Sequence, residues 1–319
     1  MSRVPATVGV DLGGTKILTA AVVEGEVVAT SKRSTPRTGT PADVLDRVAD
    51  AIERLEVEGK EIGGRLTRIG IGAPGPARPG STLVGAAPNL PGWDEPVDVG
   101  AALRDRFGDV EVRVGNDVNV AALAEFHHGA GRDSEHLLAV FVGTGVGGGL
   151  VLDGRLRTGH SGVAGEIGHL SVVPDGEPCG CGGLGHVESY AGRAGIERIA
   201  RRRHEAGEPT ALVELAGEGR MKSSVVAGAL EKGDAMAGEL VADAARIVGV
   251  AVASVVLVVD VGTVAIGGGL AERLGEPFLT SVEESCRRAL PWDSAVPDIV
   301  PTRLGDDAGA LGAALLFGA

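Results

Sequence analysis

Three cysteines in 319 residues, two of them one residue apart, cannot build a disulfide framework. Aromatic side chains make up 3% of the chain, so the core must be assembled from Ala, Val, Leu and Ile. Lysine is confined to positions 16, 32, 60, 222 and 232, and positive charge is short overall, with a formal net charge of −13. That balance argues against nonspecific binding to nucleic acid or to an anionic membrane, and an anionic substrate would need a local positive field. Met1 to Thr7 carry one Arg and no apolar run, so no secretory signal is legible. The longest apolar run, Ile247 to Val259, stops at Asp260 after 13 residues. That is too short to span a bilayer and reads as a buried helix running into a strand. These absences lead us to expect a cytoplasmic protein with no nucleic-acid or membrane partner.

Glycine is in excess: 52 residues, more than twice ordinary usage. There is no Gly-every-third pattern, which excludes collagen. Residues 143 to 185 alone hold 15 of them, so a local cause is expected where backbone must turn sharply or approach a ligand. Single cores stop growing near about 250–300 residues, so two domains are expected.

Val8 to Asp11, Ile17 to Val23 and Glu26 to Ser31 read as strands joined by turns at Gly13–Gly14–Thr15 and Glu24–Gly25. A helix follows over about 42–57, then a strand at Ile69 to Gly72 leading into Ala73–Pro74–Gly75–Pro76. Val110 to Val114 delivers Asn116–Asp117 to a strand end, and a helix runs from about Val118 to His128. The opening pattern then recurs: strand Leu137 to Val142, a turn over Gly143 to Gly149, strand Leu150 to Leu152, and a second turn at Asp153–Gly154. Two copies of one hairpin unit suggest a duplicated domain. Helices are expected at about 187–205, 235–256, 272–290 and Asp307 to Phe317.

Gly143, Gly145 and Gly148 satisfy GxGxxG, but they enter a second strand, whereas a dinucleotide fingerprint needs a helix there. No GxxxxGK[ST] occurs. A Gly-Thr turn between antiparallel strands can be an ordinary hairpin, or it can hold phosphate on successive backbone N–H groups and a hydroxyl. Two such turns, with a third cluster at Gly267–Gly268–Gly269, favour the second reading.

DLGGTK at 11–16, ND at 116–117, GTGVGGG at 143–149, GEIGH at 165–169 and CGCGGLGHVE at 179–188 resemble the motifs of the ROK family of sugar kinases. They run in family order to about residue 271. The resemblance implies an α/β fold of two ribonuclease-H-like domains of the actin-like ATPase superfamily, flanking a cleft and built from duplicated βββαβα-type units. The small domain would span 1–118, with a C-terminal helix at about 303–319 packing back on it. The large domain would span 119–302 and carry a zinc loop at 165–188. ATP and Mg2+ would meet Gly13, Gly14, Thr15 and Lys16, with Asp11 near the metal. Thr144 and Gly145 would bind phosphate, and Gly267 and Gly268 would lie beside the adenosine.

On local sequence Asp117 reads as the cap of the following helix or as the group that takes a hydroxyl proton in phosphoryl transfer. The resemblance makes it the general base. His169, Cys179, Cys181 and His186 are either unrelated or four ligands of a tetrahedral structural zinc. The family binds zinc through the GEIGH His and three cysteines of CxCGxxGC, and here His186 stands at the last cysteine. Glu166 and Glu188 read singly as surface residues. The resemblance places them at the sugar with Gly75, Asn89, Asn116 and His169, and NLPGW at 89–93 is most like bacterial ROK glucokinases. Trp93 reads as a core anchor.

The expected activity is therefore ATP-dependent phosphorylation of the glucose 6-hydroxyl by a homodimer or homotetramer. Other readings change the acceptor to N-acetylmannosamine, N-acetylglucosamine, fructose or allose, or the donor to polyphosphate. A sugar-responsive regulator would need an N-terminal winged helix, and only Met1 to Thr7 precede the first strand.

Overall fold

The computed structural model describes residues 5–23, 26–58, 65–75, 77–87 and 89–318. The turn expected at Glu24–Gly25 lies outside these, as do Pro76 and Pro88 of two candidate loops.

Strand β1 (Pro5–Leu12) pairs antiparallel with β2 (Lys16–Val23), which pairs antiparallel with β3 (Glu26–Ser34). Helix α1 (Pro41–Glu58) opens where the Asp43 carboxylate accepts from the Thr40 N–H and hydroxyl. Its stripe of Val44, Leu45, Val48, Ile52 and Leu55 is buried in the first core. Strand β4 (Arg65–Ala73) joins β1 in parallel. A short ribbon of β5 (Leu83–Val84) and β6 (Val97–Asp98) and helix α2 (Val99–Phe107) follow. Strand β7 (Glu111–Asn116) completes the sheet in the order β3-β2-β1-β4-β7, and α3 (Asp117–His128) leaves it.

The second sheet begins with β8 (His136–Val142), β9 (Val146–Leu152) and β10 (Arg155–Arg157). Five helices follow: α4 (Glu188–Ala191), α5 (Arg193–Glu205), α6 (Ala211–Ala216), α7 (Ser223–Glu231) and α8 (Ala235–Val259). Then come β11 (Thr263–Gly267), α9 (Ala271–Leu274), α10 (Glu276–Ala289), β12 (Asp298–Pro301) and α11 (Ala308–Ala314). The order β10-β9-β8-β11-β12 repeats that of the first sheet, so the duplication inferred from the paired hairpins holds.

Several boundaries differ from the sequence reading. Gly147 to Gly149 belong to β9, and the turn is Gly143 to Gly145 alone. The helix expected over 187–205 is interrupted at Gly192, which is extended, and that over 272–290 at Gly275, where φ is 66°. The run Ile247 to Val259 is helical to its end: Asp260 turns left-handed at φ 52°, and the strand starts at Thr263. By length and composition α8 could cross a bilayer, with a mean hydropathy of 2.1. Half of that window is buried, however, in a core shared with Phe278, Leu279 and Val282 of α10.

The chain returns to the first sheet at its end. Helix α11 lies against β1 and β4 so closely that a Cβ at Gly9 or Gly70 would stand 1.8 Å from the carbonyl oxygen of Ala310 or Ala313. Its other side meets α3, whose Ala121, Leu123 and Ala124 share a buried cluster with Ala308, Leu311 and Leu315. The same α3 packs across β9 of the second sheet. One helix thus stands between the two sheets, with its N-terminus at the cleft.

Candidate active site

Strand β4 ends at Ala73 beside Asn116, the last residue of β7, so the two parallel strands deliver Gly75 and the Asn116–Asp117 pair to one edge. The cap of α3 is Asn116: its Oδ1 accepts from the Asn119 N–H at 3.0 Å. Its Nδ2 donates to the Gly75 carbonyl and to Asp117 Oδ1, each at 3.1 Å. With its amide spent in this way, Asn116 acts as a brace. Asp117 also accepts from the Val118 N–H on Oδ1, at 2.8 Å, which leaves Oδ2 for an incoming hydroxyl. Burial pushes the Asp117 carboxyl above the ordinary range, and the charge of Glu166 pushes the same way. Asp11, at the end of β1, is raised to about 6 by burial and by Asp117. A half-buried carboxylate whose charge is disfavoured in this way fits a divalent cation, which would relieve that cost.

The two Gly-Thr turns close at corresponding sheet positions. In the first, the Gly13 N–H donates to the Lys16 carbonyl at 3.0 Å, and the Thr35 hydroxyl donates to the Gly13 carbonyl at 2.6 Å. Lys16 is ion-paired with Asp306 at 2.5 Å, and Asp306 also holds Lys32 at 3.5 Å. In the second, the Gly143 N–H donates to the Gly145 carbonyl at 2.9 Å. The carbonyls of Gly143 and Thr144 accept from the Arg193 and Ala194 N–H groups at the start of α5, both at 3.0 Å. Among the described residues the N–H groups of Thr144 and Gly145 donate to nothing, which suits them to phosphate oxygens.

His169, Cys179, Cys181 and His186 bring four donor atoms to within 4.8 Å of one another. Cys179 Sγ lies 3.9 Å from His169 Nδ1, and Cys181 Sγ lies 3.3 Å from His186 Nδ1. Two thiolates and two imidazoles at these separations fit a four-coordinate zinc, which would leave no position open. With Nδ1 turned to the cluster, His169 keeps Nε2 for the cavity it lines. Glu188 couples this loop to the second turn, since Oε2 accepts from the Val146 N–H at 3.0 Å and Oε1 lies 3.7 Å from Cys179 Sγ. Replacing Cys181 with Ser is expected to lower bound zinc below one per chain by elemental analysis.

A cavity of about 760 Å³ gathers Gly75, Asn116, Thr144, Gly145, Glu166, His169, Glu188 and Gly268 on one lining. Asp11, Gly13, Gly14, Thr15, Lys16, Asn89, Asp117 and Gly267 lie off that lining, Asp117 between its lining neighbours Asn116 and Val118. Asn89 is exposed and sits against Gly14, and Gly267 faces Thr302. Trp93 is 1% exposed, a core residue. Arg193 was not legible as a site residue. It lies in an Arg-rich helical stretch, yet its guanidinium donates to Thr144 Oγ1 at 2.6 Å.

The chain is similar to known proteins over nearly its whole length. The model of the ROK family matches residues 7–319. A glucokinase of Streptomyces coelicolor is 36% identical, with 97% of this chain and 96% of the relative covered. An N-acetylmannosamine kinase of Escherichia coli is 32% identical over 97% of each. Among solved structures, a ROK hexokinase from Thermus thermophilus superposes with a TM-score of 0.84 at 36% identity, covering 97% of both chains. A ROK family glucokinase from Streptomyces griseus, in complex with glucose and AMPPNP, does so with 0.77 at 34%, covering 98% of both.

Proposed function

The chain belongs to the ROK family, and from that premise we propose that it transfers the γ-phosphate of ATP to the 6-hydroxyl of a hexose, with glucose the preferred acceptor. The observation that carries this reading is the Asn116–Asp117 pair: Asn116 lines a cavity that also holds a phosphate-type turn, and it braces the Asp117 carboxylate, whose Oδ2 accepts no hydrogen bond among the described residues.

Asp117 Oδ2 takes the proton of the attacking hydroxyl, which sharpens the nucleophile as it approaches phosphorus in line. Glu166, Glu188 and His169 pair the vicinal hydroxyls of the ring, and sugars lacking those hydroxyls leave these groups unmatched. Thr144 and Gly145 hold phosphate oxygens on their free N–H groups, and Gly13 to Lys16 cradle the chain from the other sheet. Asp11 would hold a Mg2+ ion, whose chemistry there would be neutralisation of phosphate charge. His169, Cys179, Cys181 and His186 would hold a structural zinc, which would fix the loop that carries Glu166 and Glu188. Phosphorylation of N-acetylmannosamine is the second reading, favoured by the similarity to a kinase of that sugar.

A coupled ADP-release assay across a hexose panel tests the proposal. We expect turnover with glucose well above that with N-acetylmannosamine and above the sugar-free background. No hexose-dependent release would overturn the kinase reading, and a higher kcat/KM for N-acetylmannosamine would replace glucose by that acceptor.

A further inference from the structure

In a chain of net charge −13, a positive charge left unmatched beside the cavity favours binding of a polyphosphate. Helix α5 shows how rarely a positive charge stays unmatched. Arg198 and Arg202 pair with Glu177, Arg201 with Glu197, and Arg203 with both Glu208 and Glu239. Arg193, the first residue of the same helix, is different: among the described residues it makes no ion pair. Its guanidinium donates to two neutral oxygens, Thr144 Oγ1 at 2.6 Å and Ser223 Oγ at 3.3 Å. Those bonds use two of its five N–H donors and none of its charge.

The position matters as much as the charge. Thr144 lines the cavity, its N–H and that of Gly145 are free, and its hydroxyl oxygen already accepts from Arg193. The hydroxyl hydrogen is thereby directed away from the guanidinium. Lys16, the cation of the opposite turn, is matched by Asp306.

We propose that Arg193 binds the polyphosphate of the phosphoryl donor. Its guanidinium neutralises a phosphate seated on the Thr144–Gly145 turn, and its bond to Thr144 Oγ1 sets that hydroxyl to donate to the same phosphate. Ser223 Oγ, at the start of α7, holds the guanidinium in place from the other side. This inference rests on the kinase reading above but concerns binding, which can be measured without turnover.

The test is calorimetric titration of MgATP, adenosine and inorganic tripolyphosphate into the full chain and its Arg193→Gln and Arg193→Lys variants, alongside steady-state KM values. We expect Arg193→Gln to weaken MgATP and tripolyphosphate about tenfold or more, with adenosine and the hexose KM changed less than about twofold. Arg193→Lys, which keeps a point charge without the fork, should recover part of the loss. Added salt should narrow the gap between wild type and Arg193→Gln. MgATP binding by Arg193→Gln within about twofold of wild type would overturn the proposal, as would equal weakening of adenosine or a parallel rise in hexose KM. If Arg193→Gln loses MgATP while no hexose drives ADP release in wild type, the kinase reading fails and the phosphate site stands.

Discussion

Replacing Asp117 with Asn is expected to lower kcat with glucose by about 10²–10⁴, the usual worth of a positioned base. The change is nearly isosteric: the amide oxygen can still accept from the Val118 N–H, and the cap at Asn116 is untouched. Hexose KM should therefore move little, because what is lost is a proton acceptor used in the transition state. The coupled assay reads this directly, and a kcat within tenfold of wild type would remove Asp117 from the role of base.

The pH profile gives the same variant a second signature. The base works only when ionised, and burial holds the Asp117 carboxyl above its ordinary value of 3.8. Wild-type kcat/KM should accordingly fall as the pH drops through that raised value, earlier than for an exposed aspartate. The residual rate of Asp117→Asn should lack that acid limb. A limb unchanged in the variant would belong to another group.

What the sequence disclosed, and what it withheld, divides by the range of the interactions. The two Gly-Thr turns, the strand that ends at Asn116 and the His/Cys loop are local patterns, and each was readable from spacing. The division of labour inside the pair was not. Asn and Asp are both good caps, so only the geometry reveals that Asn116 spends its amide on the helix and leaves Asp117 an oxygen. Gly147 to Gly149 misled for a related reason: three glycines suggest a loop, yet they form a strand because α3 crosses them. A Cβ at Gly149 would stand 2.4 Å from that of Ala122, and one at Gly147 would stand 2.7 Å from Val118 Cγ2. Spacing marks neither Arg193 nor Glu125, since Arg193 meets Thr144 49 residues away and Glu125 meets Arg303 and Leu304 178 and 179 residues away. Tertiary approach alone gives them a role.

Replacing Glu125 with Ala is expected to cost about 3 kcal/mol or more of stability, because buried backbone donors lose their acceptor. Glu125 is 0% exposed near the end of α3, with no ion-pair partner among the described residues. Its Oε1 accepts from the Arg303 and Leu304 N–H groups, both at 2.9 Å, and its Oε2 from the Ala130 N–H at 2.8 Å. Alanine would strand three backbone donors, each worth about 1–3 kcal/mol when left unmatched. Glutamine keeps the shape but sets an NH2 against donors, so a loss of about 1–3 kcal/mol is expected there. Urea denaturation checks both, and a change below about 1 kcal/mol for the alanine variant would show that the bonds are replaceable. The clasp has a functional side, because residues 303 and 304 lead directly to Asp306, which holds Lys16, and then to α11 on the first sheet. One helix therefore carries the proposed base, Asp117, at its first residue and, two turns on, the clasp that returns the chain. The two substitutions should separate cleanly: Asp117→Asn loses turnover and keeps its denaturation midpoint, whereas Glu125→Gln loses stability and keeps the acid limb of the pH profile.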